Sequence, residues 1–154
     1  MSELSVAEIA YAAGVLDGEG CILICQYKQE KQIVLRVCMG NSNLEMLTWF
    51  KERFGGSICK VKQRVNLQCY SWAISSRLAD RCIRTCFPYL IAKRSEAEVA
   101  MRFYLDGHHF DGRRREIATQ EKDRRQELRL ELRSLRLNRR LERGSKIVAP
   151  LVTH

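Results

Sequence analysis

The chain has 154 residues, enough for one domain with a sizeable core, and 45% of them are hydrophobic, an ordinary share for a globular protein. No apolar run approaches the roughly 20 residues of a membrane span, and the N-terminus, MSELSVAEIA, carries acids where a secretory leader carries Lys or Arg. The expectation is an intracellular protein with no membrane partner. The net charge of +9 leaves two readings, an anionic partner such as nucleic acid or simple solubility. The excess is uneven, with 12 Lys or Arg against 6 acids between Arg113 and Arg143.

Seven cysteines occur, at 21, 25, 38, 59, 69, 82 and 86, without a CxxC pair. Zinc ribbons and fingers need two close pairs, or a Cys pair with a His pair. Cys21 with Cys25 and Cys82 with Cys86 are each four apart in apolar runs, and such cysteines read as small buried hydrophobes.

Ser5-Val-Ala-Glu8 is a capping box that predicts a helix from Val6 to Leu16, stopping at Asp17-Gly18. Cys21 to Gln29 and Ile33 to Asn41 read as two strands of a hairpin. Leu44, Leu47, Phe50 and Phe54 recur at helical spacing, and Gly55-Gly56 ends that helix. A second hairpin follows, Ser57 to Arg64 and Gln68 to Ser75. Then comes a helix from Arg77 to Phe87, broken by Pro88. Ser95-Glu-Ala-Glu98 reads as another capping box opening a helix to Leu105. Asp106 to Arg115 reads as a loop, and Glu116 to Arg143 as one long charged helix with Leu128, Leu132 and Leu135 along one side. No segment is repeated. The class is α+β, with an antiparallel four-stranded sheet and helices on one face. Residues 1–105 form the core, and 106–154 are a basic C-terminal loop and helix that complete the domain.

Strand alternation gives the sheet two unlike faces. Ile33, Leu35, Val37 and Met39 form a greasy one, and in the last strand Tyr70, Trp72 and Ile74 face the core while Cys69, Ser71 and Ala73 face out. Lys60, Lys62 and Arg64 lie two apart and share a side. They suit either a basic stripe on an open sheet face, of the kind that enters a DNA major groove, or a solvated edge.

The most informative segment is Ala10-Tyr-Ala-Ala-Gly-Val-Leu-Asp-Gly-Glu-Gly20. Ala10 and Gly14 are small residues one turn apart, with Ala13 beside them, so a second helix can approach closely. The helix then ends in two acids, where its own dipole is negative and a carboxylate is unfavourable unless a cation is present. A strand starts at once. Paired with its own copy across a two-fold axis, such a helix brings carboxylates together in an oxygen-rich site suited to Mg²⁺. Two scissile phosphates on opposite DNA strands share that symmetry.

The stretch from Ala12 to Gly20, placed before a hairpin, resembles the motif of the LAGLIDADG homing endonucleases, single-motif homodimeric type. The αββαββα order extends the resemblance over residues 5 to 105. The resemblance implies a homodimeric, metal-dependent enzyme that hydrolyses both strands of a long pseudo-palindromic duplex DNA site. It makes Glu19 and the Gly18 carbonyl ligands of Mg²⁺, or of Mn²⁺ or Ca²⁺, and puts Ala10, Ala13, Gly14 and Asp17 at the dimer interface, Asp17 also capping and orienting the turn. Trp49 and Phe50 anchor the register that makes Asn43 a polar group orienting water, with a helix N-cap as its other reading. Pro88-Tyr89-Leu90 anchors Lys93, whose charge stabilises the phosphorane, or which is an ordinary loop lysine. Some members of that family carry a basic residue where this chain has Leu47, a core residue by its spacing. The sheet resembles the family's DNA-reading saddle, whose exposed positions are Tyr27, Gln29, Arg36, Lys60, Lys62, Arg64 and Ser71.

Other readings compete. The only histidines are His108, His109 and His154, which leaves little for an HNH or His-Cys nuclease. A binder of the same fold, an RNA maturase acting on a host intron RNA or a DNA-binding regulator, needs the basic surface but not Glu19. A basic protein of the ribosomal type accounts for the charge and not for the Asp-Gly-Glu-Gly turn.

Overall fold

The computed structural model describes residues 4–26, 32–61, 68–104 and 119–147. In order, these form helix α1 (Val6–Glu19), strands β1 (Gly20–Gln26) and β2 (Ile33–Asn41), helix α2 (Leu44–Phe54), strands β3 (Ser57–Val61) and β4 (Cys69–Ser75), helix α3 (Ser76–Cys86), a 3-10 turn (Phe87–Tyr89), and helices α4 (Arg94–Met101) and α5 (Thr119–Ile147). The sheet is antiparallel in the order β1-β2-β4-β3. The expected α+β architecture is the one observed.

The N-terminal capping box forms as expected: Glu8 N–H donates to Ser5 Oγ at 3.3 Å, and Ser5 N–H donates to Glu8 Oε2 at 2.9 Å. The helix does not stop at Asp17-Gly18, however; it runs on to Glu19. Its end is set at Gly20, where the N–H donates to the Leu16 carbonyl and an added Cβ would lie 2.7 Å from that oxygen. Only glycine lets the chain turn from helix to strand so tightly. Both acids of the motif therefore stand in the last helical turn.

One sheet face carries the core. Ile22 and Ile24 of β1, Ile33, Leu35, Val37 and Met39 of β2, and Trp72 and Ile74 of β4 are buried against Leu16, Leu47, Phe50, Ile83, Ala97 and their neighbours on the helices. Phe50 stacks on Phe54, and its ring centroid lies 5.2 Å from each of Trp49 and Trp72. Trp72 Nε1 donates to the Gly55 carbonyl at 2.9 Å, which satisfies the polar end of a side chain with no exposure. At Gly56 (φ +91°) a Cβ would fall 2.4 Å from the Ala73 carbonyl, so the β3–β4 approach requires glycine there.

One helix start differs from expectation. There is no capping box at Ser95; the cap lies two residues earlier, at Lys93, whose carbonyl accepts from Ala97 N–H at 2.9 Å. Glu98 instead lies 3.7 Å from Arg94. The helix ends at Met101, where Arg84 Nη2 takes up the carbonyls of Met101 and Tyr104. The long C-terminal helix forms, and Leu128 and Leu132 enter the same core as the sheet. Arg124 ties it to the end of α4 through the carbonyls of Arg102 and Phe103, at 2.7 and 3.1 Å. No helix among the described residues is long and apolar enough to cross a membrane.

Candidate functional site at the end of the first helix

Asp17, on the last turn of α1, accepts three consecutive backbone N–H groups from a loop 74 residues further along. Its Oδ2 takes Ile91 at 2.7 Å and Ala92 at 3.1 Å, and its Oδ1 takes Lys93 at 2.9 Å. A carboxylate meeting three amides in this way is a strong, directional clamp. It fixes the loop, and the Lys93 ammonium in turn donates to the Asp17 carbonyl. The cation thus sits on the negative end of the helix, one residue before Gly18-Glu19. Lys93 is buried, 5% exposed. Burial lowers its pKa from the ordinary lysine value, and the nearby charge of Arg139 lowers it further; Asp17, Glu96 and Cys21 work in the opposite direction.

Glu19 is exposed at the helix end. Among the described residues, neither it nor any side chain completes a cluster of three His, Cys, Asp or Glu able to hold a metal. Its carboxylate is nonetheless at the negative terminus with no basic residue in that last turn, a position that a cation would relieve. An added Cβ at Gly18 would meet nothing within 4 Å, so its backbone is open to an approaching group.

The Gly20–Met39 pairing brings the end of α1 level with the end of β2, where the chain continues to Asn43. Asn43 is the N-cap of α2: its Oδ1 accepts Met46 N–H at 3.0 Å, and its own N–H donates to Asn41 Oδ1 at 2.9 Å. The cap uses the side-chain oxygen and leaves Nδ2 as its donor. Leu47 is fully buried.

The small helix face is only partly free. Ala10 and Gly14 are exposed and a Cβ at Gly14 would meet nothing within 4 Å, whereas Ala13 is buried in its own chain's core. Ala13 therefore packs inward and not toward a partner, because it lies on the side of the helix shared with Ala12 and Leu16.

Residues on the sheet face opposite the core alternate as expected for β2 and β4: Arg36 and Ser71 share it. Lys60 does not. The register pairs Lys60 with Tyr70 and Ile58 with Trp72, which places Lys60 on the helix side of the sheet, exposed at its edge. Residues opposite one another in an antiparallel ladder point the same way, and Tyr70 points with the core. Tyr27, Gln29, Lys62 and Arg64 lie outside the described residues. The open face also carries Cys21 and Cys25, whose apolar run had suggested the interior, together with Cys38, Cys59 and Cys69.

Neither a family model nor a curated relative matches the chain by sequence. Solved structures do match by shape. I-Vdi141I, an archaeal intron-encoded homing endonuclease complexed with DNA, superposes with a TM-score of 0.61 at 16% identity, covering 83% of each chain. The homing endonuclease I-CvuI, in complex with its target in the presence of Ca, superposes with a TM-score of 0.52 at 17% identity, covering 82% of this chain and 94% of its own. This is the LAGLIDADG homing endonuclease fold. In this chain helix α1 delivers Gly18 and Glu19 to the same end of the molecule as the Lys93 loop. Two groups at that end escaped sequence reading. Arg136 Nη2 stands 3.2 Å from Cys21 Sγ, and Arg139 Nη1 donates to the Ala92 carbonyl at 3.0 Å. Both come from α5, in a run where nearly every side chain not leucine is charged or polar, so spacing carried no signal to single them out.

Proposed function

We propose that this chain is a site-specific DNA endonuclease that hydrolyses phosphodiester bonds on both strands of a long pseudo-palindromic site. It would act as a homodimer with divalent metal at the dimer axis. The observation that carries this reading is the Asp17 clamp, which holds the Lys93 ammonium against the last turn of α1, beside the exposed Glu19 carboxylate in a helix turn with no basic residue. A loop lysine without a task would be solvated, not buried at a helix end.

One chain supplies one carboxylate and one backbone carbonyl, Glu19 and Gly18; two copies meeting along the Ala10–Gly14 face would supply two of each. These hard oxygen donors fit Mg²⁺, and Mn²⁺ or Ca²⁺ in its place. The bound ion would supply Lewis-acid activation of the phosphate and of water. The chain's own residues do the rest. Lys93 holds positive charge where the five-coordinate phosphorus gathers negative charge, as the water oxygen bonds to phosphorus and the bond to the sugar oxygen breaks. Asn43 Nδ2 would orient solvent. Arg36 and Ser71 on the open sheet face contact base edges, and the exposed Arg133 and Arg140 of α5 contact backbone phosphates.

The test is incubation of the protein and of Glu19→Gln with a randomised duplex library and Mg²⁺, followed by sequencing of the cut ends. The parent should cut a long, partly palindromic site that Glu19→Gln binds and leaves intact. If both proteins enrich a DNA site and neither cuts, the chain is a regulator. If no DNA is enriched, intron RNA is the partner to assay.

A further inference from the structure

The loop that carries Lys93 is held from two sides. Asp17 takes the N–H groups of residues 91–93 from α1. From the other side, Arg139 of α5 donates to the Ala92 carbonyl at 3.0 Å, and its Nη1 stands 2.7 Å from Glu96 Oε1 on the first turn of α4. Glu96 is buried, its side chain 4% exposed, and a buried carboxylate needs a cation beside it. Asp17, Glu96, Arg139 and the thiol of Cys21, from four different elements, surround the Lys93 ammonium.

Packing does not account for this contact. The apolar docking of α5 is made two turns earlier, by Leu128 and Leu132, and is reinforced by Arg124 and by the Arg102–Glu131 pair. Beyond Leu135, which is partly buried against the core, the leucines turn to solvent: Leu137 is 56% and Leu141 60% exposed. The polar contacts of this stretch include Cys21, immediately after the motif, Glu96, and the 91–93 loop. Where apolar contact thins out, the helix keeps polar contacts to the strand after the motif and to that loop.

We propose that Arg139, paired with Glu96, is a positioning residue for cleavage: it pins the 91–93 loop from α5 and so fixes the Lys93 ammonium at the end of α1. The assignment rests on the endonuclease reading above, and it makes the C-terminal helix part of the active-site scaffold. Arg139 touches no reacting atom. It acts through Lys93, by holding the Ala92 peptide and by adding a positive charge nearby.

The experiment compares the parent with Arg139→Gln and Arg139→Lys. Lys93 titration is followed by NMR of side-chain-labelled lysine in the DNA-free protein, alongside the Ala92 and Lys93 amide shifts. Single-turnover cleavage and DNA affinity are measured in parallel. In Arg139→Gln the Lys93 midpoint should move up, both amides should shift, and cleavage should slow about tenfold or more with DNA affinity nearly unchanged. Because Lys93 then keeps its proton to higher pH, the alkaline limb of the cleavage profile should move up with it. Arg139→Lys should keep the parent midpoint and recover part of the rate. An unmoved midpoint with unmoved amides in Arg139→Gln overturns the proposal. Should that variant fail to fold, Arg139→Gln combined with Glu96→Gln leaves no lone buried charge, and its Ala92 and Lys93 amides decide the matter. A parent chain that cuts no DNA sinks the endonuclease reading instead, while the DNA-free titration still reports on the loop.

Discussion

Asp17 and Lys93 hold each other twice: the Asp17 carboxylate accepts the Lys93 N–H at 2.9 Å, and the Lys93 ammonium donates back to the Asp17 carbonyl. This reciprocal contact joins residues 76 apart and carries the tertiary link between the motif helix and the loop before α4. Asp17→Asn tests it. An amide oxygen without charge holds three N–H groups more weakly, and hydrogen bonds to a charged group are worth about 1.5–3 kcal/mol each where burial protects them. Asp17 is only partly buried, so a loss of about 2 kcal/mol in urea denaturation is expected, together with slower cleavage and little change in DNA binding. Unchanged stability and rate would mean that the loop is held by other contacts.

Lys93 places function and stability in opposition. Its folded pKa is lowered from the ordinary 10.5, by burial first and the Arg139 charge second. The unfolded chain therefore binds that proton more tightly. The resulting cost to stability is fully present below the folded pKa and is relieved as pH rises from there toward 10.5. Lys93→Met should be at least as stable as the parent at neutral pH, with the gap closing in alkaline buffer. Its cleavage should fall by about 10²-fold or more. Urea titrations at neutral and alkaline pH, with a cleavage assay beside them, check both halves; a Lys93→Met protein much weaker than the parent at neutral pH contradicts the account.

The α1 face makes a prediction about assembly. Among the described residues, nothing beyond the neighbouring helix backbone lies within 4 Å of a Cβ at Gly14. Gly14→Leu should leave the monomer folded, and replacing a helical glycine should itself favour the helix by roughly 0.5–1 kcal/mol. The same change should abolish a dimer that packs backbone to backbone there. Sedimentation equilibrium reads the outcome, and a Gly14→Leu protein that remains dimeric moves the interface elsewhere.

Leu47 stands where some homing endonucleases of this type carry a basic residue, and it is fully buried. Leu47→Arg should not improve cleavage. It should destabilise the chain by about 3–5 kcal/mol, the scale of an uncompensated buried charge, because Leu47 has no exposure and packs in the same apolar core as Phe50. Circular dichroism melts of the two proteins decide this.

Much of this architecture was legible in the residues. Alternation in Ile33–Asn41 fixed which side of β2 is buried, and the capping box at Ser5 placed the start of α1. These are local signals, set by periods of two and 3.6 and by caps that satisfy the first free N–H groups. Local rules also erred where a distant contact overrode them. Ser95 looks like a cap, but the loop before it is tied down by Asp17 and Arg139, and the helix is capped two residues earlier, at Lys93. Lys60 looks like part of a basic stripe beside Ser71, but only the pairing with Tyr70 tells which face it takes.

By itself, then, the sequence determined the order of elements, the buried side of the central strands and the acidic end of the motif helix, because each depends on neighbours within a few turns of chain. The tertiary structure alone decided that Asp17 clamps residues 91–93, that Ala13 faces inward, and that Arg139 returns from the C-terminal helix to the same loop. Those contacts join positions 40 or more residues apart, and among so many arginines no spacing distinguishes the one that arrives.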